Sequence, residues 1–277
     1  MPAPSPSSQP RLMQRLKLLV KPLVPRWLLD QYHARALRRD ADLYQGKTPG
    51  EIFSHVYASQ AWGAPKGHGE HYSGVGTHSP EIANAYLSSV TAWLAAQGAP
   101  PDVVDLGCGD FHIGSQLRAA CGRYIACDVV EAVIAVNRRR HAGLDVDFRC
   151  LDIAGDPLPP GDVVFVRMVL QHLDNARIAS VLAKLGQYRT LVLTEQVPLG
   201  GFMPNTDKTS GAAIRLWDRP PSGVIVTAPP FNLRVRSSRV LCEVSSGGGV
   251  IRTIAYELER SAVRPGAEAQ AAGVAGA

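Results

Sequence analysis

Aliphatic residues form short runs of strand length between residues 102 and 197. The five runs, most of them rich in valine, are 102–107, 123–129, 146–153, 162–168 and 190–197. Between them, segments at 113–121, 131–143 and 175–186 place apolar residues at helical spacing. Two later runs, 239–246 and 250–259, flank three glycines and predict an antiparallel hairpin. Strands that alternate with helices are typical of an α/β domain whose mainly parallel sheet carries helices on both faces.

The chain before this domain has a different, basic pattern. Leucines recur at helical spacing from residue 12 to residue 23, and Pro22 and Pro25 interrupt them, which predicts two short helices. Residues 11–42 hold eight basic and three acidic residues, so this arm carries +5, equal to the net charge of the chain. Three interpretations are open for such an arm: it packs on its own domain, it docks on a partner, or it lies on an anionic membrane. We favour the first. No basic patch interleaved with aromatic residues extends over the domain, so we expect no nucleic-acid binding.

Residues 48–98 combine two helix signals with a glycine-rich loop. Thr48 and Glu51 have capping-box spacing, and Ser79 followed by Pro80 predicts a helix that ends near Gly98. The loop between them carries four glycines and His68, His71, Tyr72 and His78, which predicts a lid over a ligand site. Its histidine spacing matches no standard zinc pattern, so no metal is expected. The predicted organisation is disorder at 1–10, arm and lid at 11–78, the domain at 79–262 and a disordered tail at 263–277.

Composition narrows the protein class. The 277 residues are 45% hydrophobic and 19% charged, as in ordinary globular proteins. The five cysteines are odd in number and form no CxxC pair, which argues against a disulfide scaffold or a structural zinc site and favours a reducing cytoplasm. No apolar run is long enough to span a membrane, and no signal-peptide core follows the first residues.

The sequence VVDLGCGDFHIG, residues 103–114, places a glycine turn directly after the first strand. Gly107 and Gly109 fit the dinucleotide fingerprint Gly-x-Gly-x-x-Gly, but His112 stands at its third glycine. The Gly-Lys-Ser/Thr of a phosphate-binding loop does not occur in this turn. Asp105 precedes the turn, and its carboxylate repels a pyrophosphate but attracts a cationic ligand. The turn therefore favours a ligand with positive charge.

Asp105-x-Gly107-x-Gly109, followed by Asp128 at the end of the second strand, resembles the class I S-adenosylmethionine-dependent methyltransferases over roughly residues 75–260. This resemblance implies a Rossmann-like, doubly wound, seven-stranded sheet and S-adenosyl-L-methionine as cofactor. It implies that the two glycines approach the methionine part, that Asp105 orients its amino group and that Asp128 holds both ribose hydroxyls. In the CLDI segment, Asp152 would take the adenine amine, with Ile153 against the ring. The remaining expected cofactor-binding residues are Cys108, Asp110, Phe111, Val129 and Arg167.

Asp128 and Asp152 also fit structural roles. Asp128 is suited to cap the following helix, and Asp152 is suited to stabilise a turn. Phe111 departs from the family pattern because it stands at the usual third glycine, where its ring would narrow the pocket. The segments 62–87 and 204–233 are similar to those of bacterial methyltransferases encoded beside polysaccharide genes.

Three residues at strand ends are candidates for catalysis. His172 is a candidate general base for a substrate hydroxyl, Arg167 a partner for an acidic group, and Glu195 a substrate contact; each also fits a structural role. Four polar residues between the fifth strand and the hairpin are candidates for contacting a sugar: Asn205, Asp207, Arg215 and Asn232. The sequence thus predicts direct in-line methyl transfer to an oxygen, less readily to a nitrogen, of a glycan or glycolipid. Transfer of an aminopropyl or other group, and a non-catalytic cofactor-binding partner, are the alternatives.

Overall fold

The computed structural model describes residues 25–64 and 70–259. The predicted helix before Pro22, the predicted disorder at 1–10 and 263–277, and His68 of the predicted lid lie outside these ranges. No helix within them is both long and apolar enough to cross a membrane.

One seven-stranded sheet organises the described chain. Its strand order is β3-β2-β1-β4-β5-β7-β6, with β1 to β5 parallel and β7 antiparallel to both of its neighbours. The strands are β1 Val103–Leu106, β2 Tyr124–Asp128, β3 Asp147–Cys150, β4 Val163–Arg167, β5 Thr190–Pro198, β6 Val235–Ser246 and β7 Gly249–Leu258. The order changes direction between β1 and β4, the place where doubly wound sheets bind ligands. The predicted fold class is confirmed.

Seven α-helices occur in the described ranges. They are α1 Arg26–Tyr44, α2 Pro49–Ala58, α3 Val75–His78, α4 Pro80–Ala95, α5 Gly114–Leu117, α6 Glu131–Arg140 and α7 Asn175–Lys184. Alternate residues of the central strands enter two hydrophobic cores, so Val104 and Leu106 pack with α2 and α7 whereas Val103 packs with α4. Helices therefore cover both faces of the sheet.

Local signals in the sequence were mostly reliable. The Thr48 hydroxyl accepts from the Glu51 amide at 3.3 Å and the Glu51 carboxylate accepts from the Thr48 amide at 2.8 Å, which confirms the capping box. The helix predicted at 113–121 is shorter, because a 3₁₀ turn at Arg118–Ala120 follows α5. Helix α4 begins at Pro80 as predicted, although the Ser79 side chain makes no capping hydrogen bond.

Candidate functional site

A cleft with a cavity volume of about 340 Å³ lies at the carboxyl ends of β1, β2 and β4. Its lining includes five residues expected to bind the cofactor at the first two strands: Asp105, Gly107, Cys108, Gly109 and Asp128. It also includes Val129, Asp152, Ile153, Arg167 and His172. Ten residues that the sequence singled out, spread over 68 positions of the chain, thus meet in one cleft.

Gly107 and Gly109 form a turn that excludes side chains. Their φ angles are +79° and +56°, in the left-handed region that glycine adopts readily. A Cβ on Gly107 would lie 2.4 Å from Val169 Cγ2, and one on Gly109 would lie 2.4 Å from Ser73 Oγ. The bare backbone faces the cleft, so a ligand can approach the peptide groups of this turn closely.

Asp105 is a buried carboxyl group in the wall of the cleft. It accepts a hydrogen bond from the Tyr124 hydroxyl at 2.9 Å. Burial raises its pKa to about 7, against the opposing effects of this hydrogen bond and of the Arg167 guanidinium. A buried carboxyl that lacks a direct ion pair is stabilised in its charged form when a cationic group of a ligand enters.

Asp128 is held by backbone amides at the end of β2. Its Oδ2 accepts from the Gly109 amide and its Oδ1 from the Val130 amide, each at 3.0 Å. Burial raises its pKa, against these amide hydrogen bonds. The Val130 contact is a local turn two residues on, and Asp128 is not the N-cap of α6, which is Val130. Each carboxylate oxygen still has a lone pair for a further donor, as two vicinal hydroxyls would require.

Asp152 and Ile153 follow β3 and line the cleft. The Asp152 Oδ1 accepts from the Ala154 amide at 2.9 Å, so the turn chemistry foreseen for this segment is present. Asp152 nevertheless lines the cleft, together with the nearly buried Ile153. The polar and apolar groups that an adenine ring needs are therefore adjacent.

Phe111 and Asp110 do not line the cleft, contrary to expectation. Phe111 adopts φ +57°, in the left-handed region that glycine favours, while its ring is fully buried against Tyr124, His141 and Phe148. It does not narrow the pocket. Asp110 is turned toward the segment 70–79, where its carboxylate contacts the His78 imidazole and accepts from the Ser73 amide at 3.1 Å.

The described part of the predicted lid is hydrogen-bonded to the glycine turn. In addition to these contacts, the Ser73 hydroxyl accepts from the Asp110 amide at 2.9 Å and lies 3.1 Å from the Tyr57 hydroxyl. Gly74, Val75, Gly76 and Thr77 line the cleft. The segment therefore forms part of the cleft lining beside the first glycine turn.

Arg167 is the last residue of β4; it lines the cleft and forms hydrogen bonds with the predicted lid. Its guanidinium donates to the Gly76 carbonyl at 2.6 Å and to the Thr77 hydroxyl at 3.2 Å, and it lies 4.9 Å from the centroid of the Tyr86 ring. Its buried Nε has no hydrogen-bond partner in the described ranges. Three of its five N–H groups are therefore uncommitted to hydrogen bonds in this structure.

His172 and Glu195 occupy different positions relative to the cleft. His172 lines it, with Nδ1 facing the Gly211 carbonyl at 3.2 Å, so Nδ1 carries the proton and Nε2 the lone pair. Burial, with the nearby positive charges of Lys208 and Arg215, lowers the His172 pKa to about 3. Glu195 does not line the cleft; its oxygens accept from the Leu170 and Gln171 amides, each at 2.9 Å, and burial raises its pKa to about 8. Glu195 holds the segment that positions His172, and a substrate contact is not what this geometry supports.

The four polar residues expected to contact a sugar form hydrogen bonds inside the segment 199–234 or with residues that pack against it. The nearly buried Asn205 binds the Ile225 amide and carbonyl, and the buried Arg215 donates to the Leu173 carbonyl at 2.8 Å. Asp207 accepts from the Asn175 amide, and the Asn232 side chain reaches the Pro230 carbonyl. None of the four lines the cleft, so this expectation was wrong.

Aromatic residues that the sequence analysis did not select supply much of the remaining lining. We define the aromatic lining as the aromatic residues Phe53, Tyr57, Trp62 and Trp217 together with the aliphatic Ile214. The rings of Trp62 and His172 have centroids 4.9 Å apart, so this lining adjoins the end of β4. Gln171 and Gln196 also line the cleft; the Gln171 Oε1 accepts from the Gln196 backbone amide at 3.1 Å, and the Gln196 Nε2 donates to the Ser246 carbonyl at 2.7 Å. The apolar face of the helix at 49–58 was visible in the sequence, but nothing in the sequence showed that it packs over this sheet edge.

Comparisons with known proteins found one family match and several similar solved structures. Residues 103–189 match the family model described as a methyltransferase domain. No curated protein sequence matches the chain. Among solved structures, the chain is similar to magnesium protoporphyrin IX methyltransferase (ChlM) from Synechocystis PCC 6803, with 17% identity, 76% of this chain and 94% of that chain covered, and a TM-score of 0.45. It is also similar to N-methyltransferase NodS from Bradyrhizobium japonicum WM9, with 13% identity, 64% and 88% coverage, and a TM-score of 0.48. The family match extends from β1 to α7 and includes the glycine turn and its cleft-lining carboxylates, so residues 103–189 form a methyltransferase domain.

Proposed function

We propose that the protein transfers the methyl group of S-adenosylmethionine to a hydroxyl oxygen of an uncharged acceptor, a glycan or glycolipid. The observation that carries the proposal is the composition of the cleft. Carboxyl groups surround the glycine turn, whereas the lining beside His172 is aromatic and amide-bearing. A cationic nucleoside and a neutral acceptor are complementary to these two regions.

Each side chain near the glycine turn has a role in holding the cofactor. Asp105 binds the ammonium, Asp128 accepts hydrogen bonds from both ribose hydroxyls, and Asp152 and Ile153 hold the adenine. Arg167 binds the methionine carboxylate with its uncommitted N–H groups, beside Asp105. When bound, S-adenosylmethionine supplies an already activated methyl group, so the chain chiefly aligns the acceptor and excludes water.

The acceptor binds where the aromatic lining meets His172. Aromatic rings pack against the C–H faces of sugar rings, and the Gln196 Oε1, for which no partner occurs among the described residues, accepts a hydrogen bond from a hydroxyl. His172 is neutral at neutral pH, because burial keeps its pKa at about 3. Its Nε2 lies 3.3 Å from the Gln171 side-chain nitrogen, so the acceptor hydroxyl replaces that amide as the donor to Nε2. The resulting contact orients the oxygen lone pair toward the methyl group. On methyl transfer the hydroxyl proton would leave through Nε2 to water.

Transfer of an aminopropyl group to a polyamine is less well supported. Polyamines are polycations and are bound by carboxylates, yet the aromatic lining contains no carboxylate and the cleft carboxylates in the described ranges flank the nucleoside region. A non-catalytic, cofactor-binding role does not explain the aromatic lining beside His172.

The first experiment measures S-adenosylhomocysteine binding by calorimetry. Asp128→Asn removes the charged acceptor for the ribose, and we expect affinity to fall by about 10- to 100-fold, the value of a hydrogen bond to a charged group. Asp147→Asn is the matched control, because Asp147 is exposed on β3 and pairs with Arg149. Unchanged affinity in Asp128→Asn would show the ribose assignment to be wrong.

A second experiment identifies the acceptor. The protein is incubated with methyl-labelled cofactor and fractionated cell extract, and labelled products are identified by mass spectrometry. A methyl group on a glycan or glycolipid oxygen supports the proposal. Label on nitrogen, an aminopropyl adduct with the decarboxylated cofactor, or no label in any fraction contradicts it.

A further inference from the structure

Among the described residues, helix α1 contacts the domain through one face. On that face the Asp40 carboxylate accepts from the Ala213 amide at 2.8 Å, and the His33 ring stacks on Trp217 with a centroid distance of 4.8 Å and an interplanar angle of 4°. Arg219 pairs with Asp30, which precedes His33 on the same helix. These contacts confirm that the described part of the basic arm packs on its own domain, and they fix which face of α1 points outward.

The outward face of α1 is both apolar and basic. Trp27 is 59% exposed, Leu28 42% and Tyr32 65%. The exposed charged residues on this face are Arg35, Arg38, Arg39 and Asp42, with a formal sum of +2. At about 100° per residue, these seven side chains fall within an arc of about 140°, so they form one continuous stripe. We call this set the α1 stripe.

The order of apolar and basic side chains along the α1 stripe is complementary to a lipid surface. Its three apolar side chains occupy the first two turns of the helix, and its three arginines follow in the next turns. Aromatic and leucine side chains enter the boundary between head groups and acyl chains, while arginine remains at the level of the phosphates. The stripe continues the basic sequence upstream, where Arg11, Arg15, Lys17 and Lys21 lie within 16 residues of Trp27.

We propose that the α1 stripe binds the surface of an anionic phospholipid bilayer. The charge of the stripe is complementary to such a surface, and each arginine near it adds a favourable electrostatic contribution. A nucleic acid would be complementary to the arginines but would leave Trp27, Leu28 and Tyr32 in water. The surface chemistry of the helix therefore points to lipid.

This attachment has a consequence for the cleft. Trp217 stacks on His33 of α1 and also lines the cleft, so the helix at the bilayer contacts a member of the aromatic lining directly. On the function proposed above, the acceptor would be a glycolipid reached at the bilayer surface. The lipid-binding proposal itself does not require that function, because it is measured without methyl transfer.

The test is co-sedimentation of the full chain with vesicles of phosphatidylcholine alone and of a phosphatidylcholine–phosphatidylglycerol mixture. We expect binding to the anionic vesicles only, weakened by salt. Arg35→Gln with Arg38→Gln should lower partitioning by about 10- to 30-fold, since each cation contributes on the order of 1 kcal/mol. Trp27→Ser with Tyr32→Ser should lower it by a similar factor. The matched control, Arg234→Gln with Arg236→Gln, removes the same charge from positions before and on β6 and should leave binding unchanged.

Several results would overturn the proposal. These are equal binding to neutral vesicles, no binding to either, equal loss in the control, or full binding by Trp27→Ser with Tyr32→Ser, which would assign the attachment to the upstream residues. Dimerisation without vesicles that this double variant abolishes would show a protein interface instead. Affinity for S-adenosylhomocysteine, measured on each variant, should match the unmodified protein, which separates lipid binding from damage to the fold or to the cleft.

Discussion

The ring of Phe111 fills the space that a side chain at Gly114 would need: a Cβ there would lie 2.2 Å from Phe111 Cε2. The two residues are a matched pair. The phenylalanine enters the core under the turn, and the glycine three positions later leaves it room. The turn keeps its left-handed backbone at 111 while the cleft stays open.

Gly114→Ala is therefore expected to destabilise the protein by about 1–3 kcal/mol, the usual cost of overpacking a rigid core. Thermal or denaturant unfolding measures this. Gly143→Ala is the control, because no atom lies within 4 Å of a Cβ at that position. Equal stability of the two variants would contradict the packing argument.

Gly107→Ala should weaken S-adenosylhomocysteine binding more than tenfold, by about 1.4 kcal/mol or more, because the new methyl group and a displaced Val169 intrude on the turn. Gly200→Ala shares the left-handed φ, +77°, but has open space around its Cβ. It isolates the backbone strain, which should cost stability and not affinity. Calorimetry on both variants decides whether close approach at Gly107 matters.

Binding of S-adenosylhomocysteine should strengthen as pH rises through about 7. The reason is that burial raises the Asp105 pKa to about 7, so the group is neutral below that pH and does not attract an ammonium. The same shift affects folding. Without ligand, Asp105 keeps its proton in the folded protein up to about pH 7, whereas the unfolded chain releases that proton above the ordinary pKa of 3.8. The free energy of unfolding therefore falls as pH rises from about 4 to 7. Calorimetry across this range should show the trend, and Asp105→Asn should remove it from both measurements. A pH-independent affinity in the unmodified protein would contradict it.

Arg167→Gln should weaken S-adenosylhomocysteine binding by about tenfold, the order of one charge-assisted hydrogen-bonded pair. It should leave binding of 5′-methylthioadenosine unchanged, because that ligand lacks the amino-acid end. Comparing the two ligands separates a lost carboxylate contact from a general disturbance of the cleft. Equal weakening of both would show that Arg167 acts through the Gly76 and Thr77 contacts instead.

Sequence periodicity predicted the sheet well because its central strands are buried on both faces and are nearly continuous in valine, as in Val163–Arg167. The glycine turn was equally visible, since its backbone conformation restricts the residues it accepts. Asn205 and Arg215 were misjudged for a physical reason. A polar residue in an irregular segment has the same sequence signature whether it contacts a ligand or, as here, satisfies buried backbone groups. The aromatic lining was missed because Trp62 and His172 meet only through tertiary packing.

The five residues defined as the aromatic lining lie outside residues 103–189, the part that matches the family model, whereas two further cleft-lining aromatic residues, Tyr124 and Phe165, lie inside it. Phe53, Tyr57 and Trp62 precede that part, and Ile214 and Trp217 follow it. On the proposed assignment, most of the acceptor region is thus encoded outside the stretch that holds the nucleoside, although Gln171 and His172 lie within it. Exchange of the flanking segments between homologous enzymes should redirect which molecule is modified, while the chemistry of the donor is inherited unchanged.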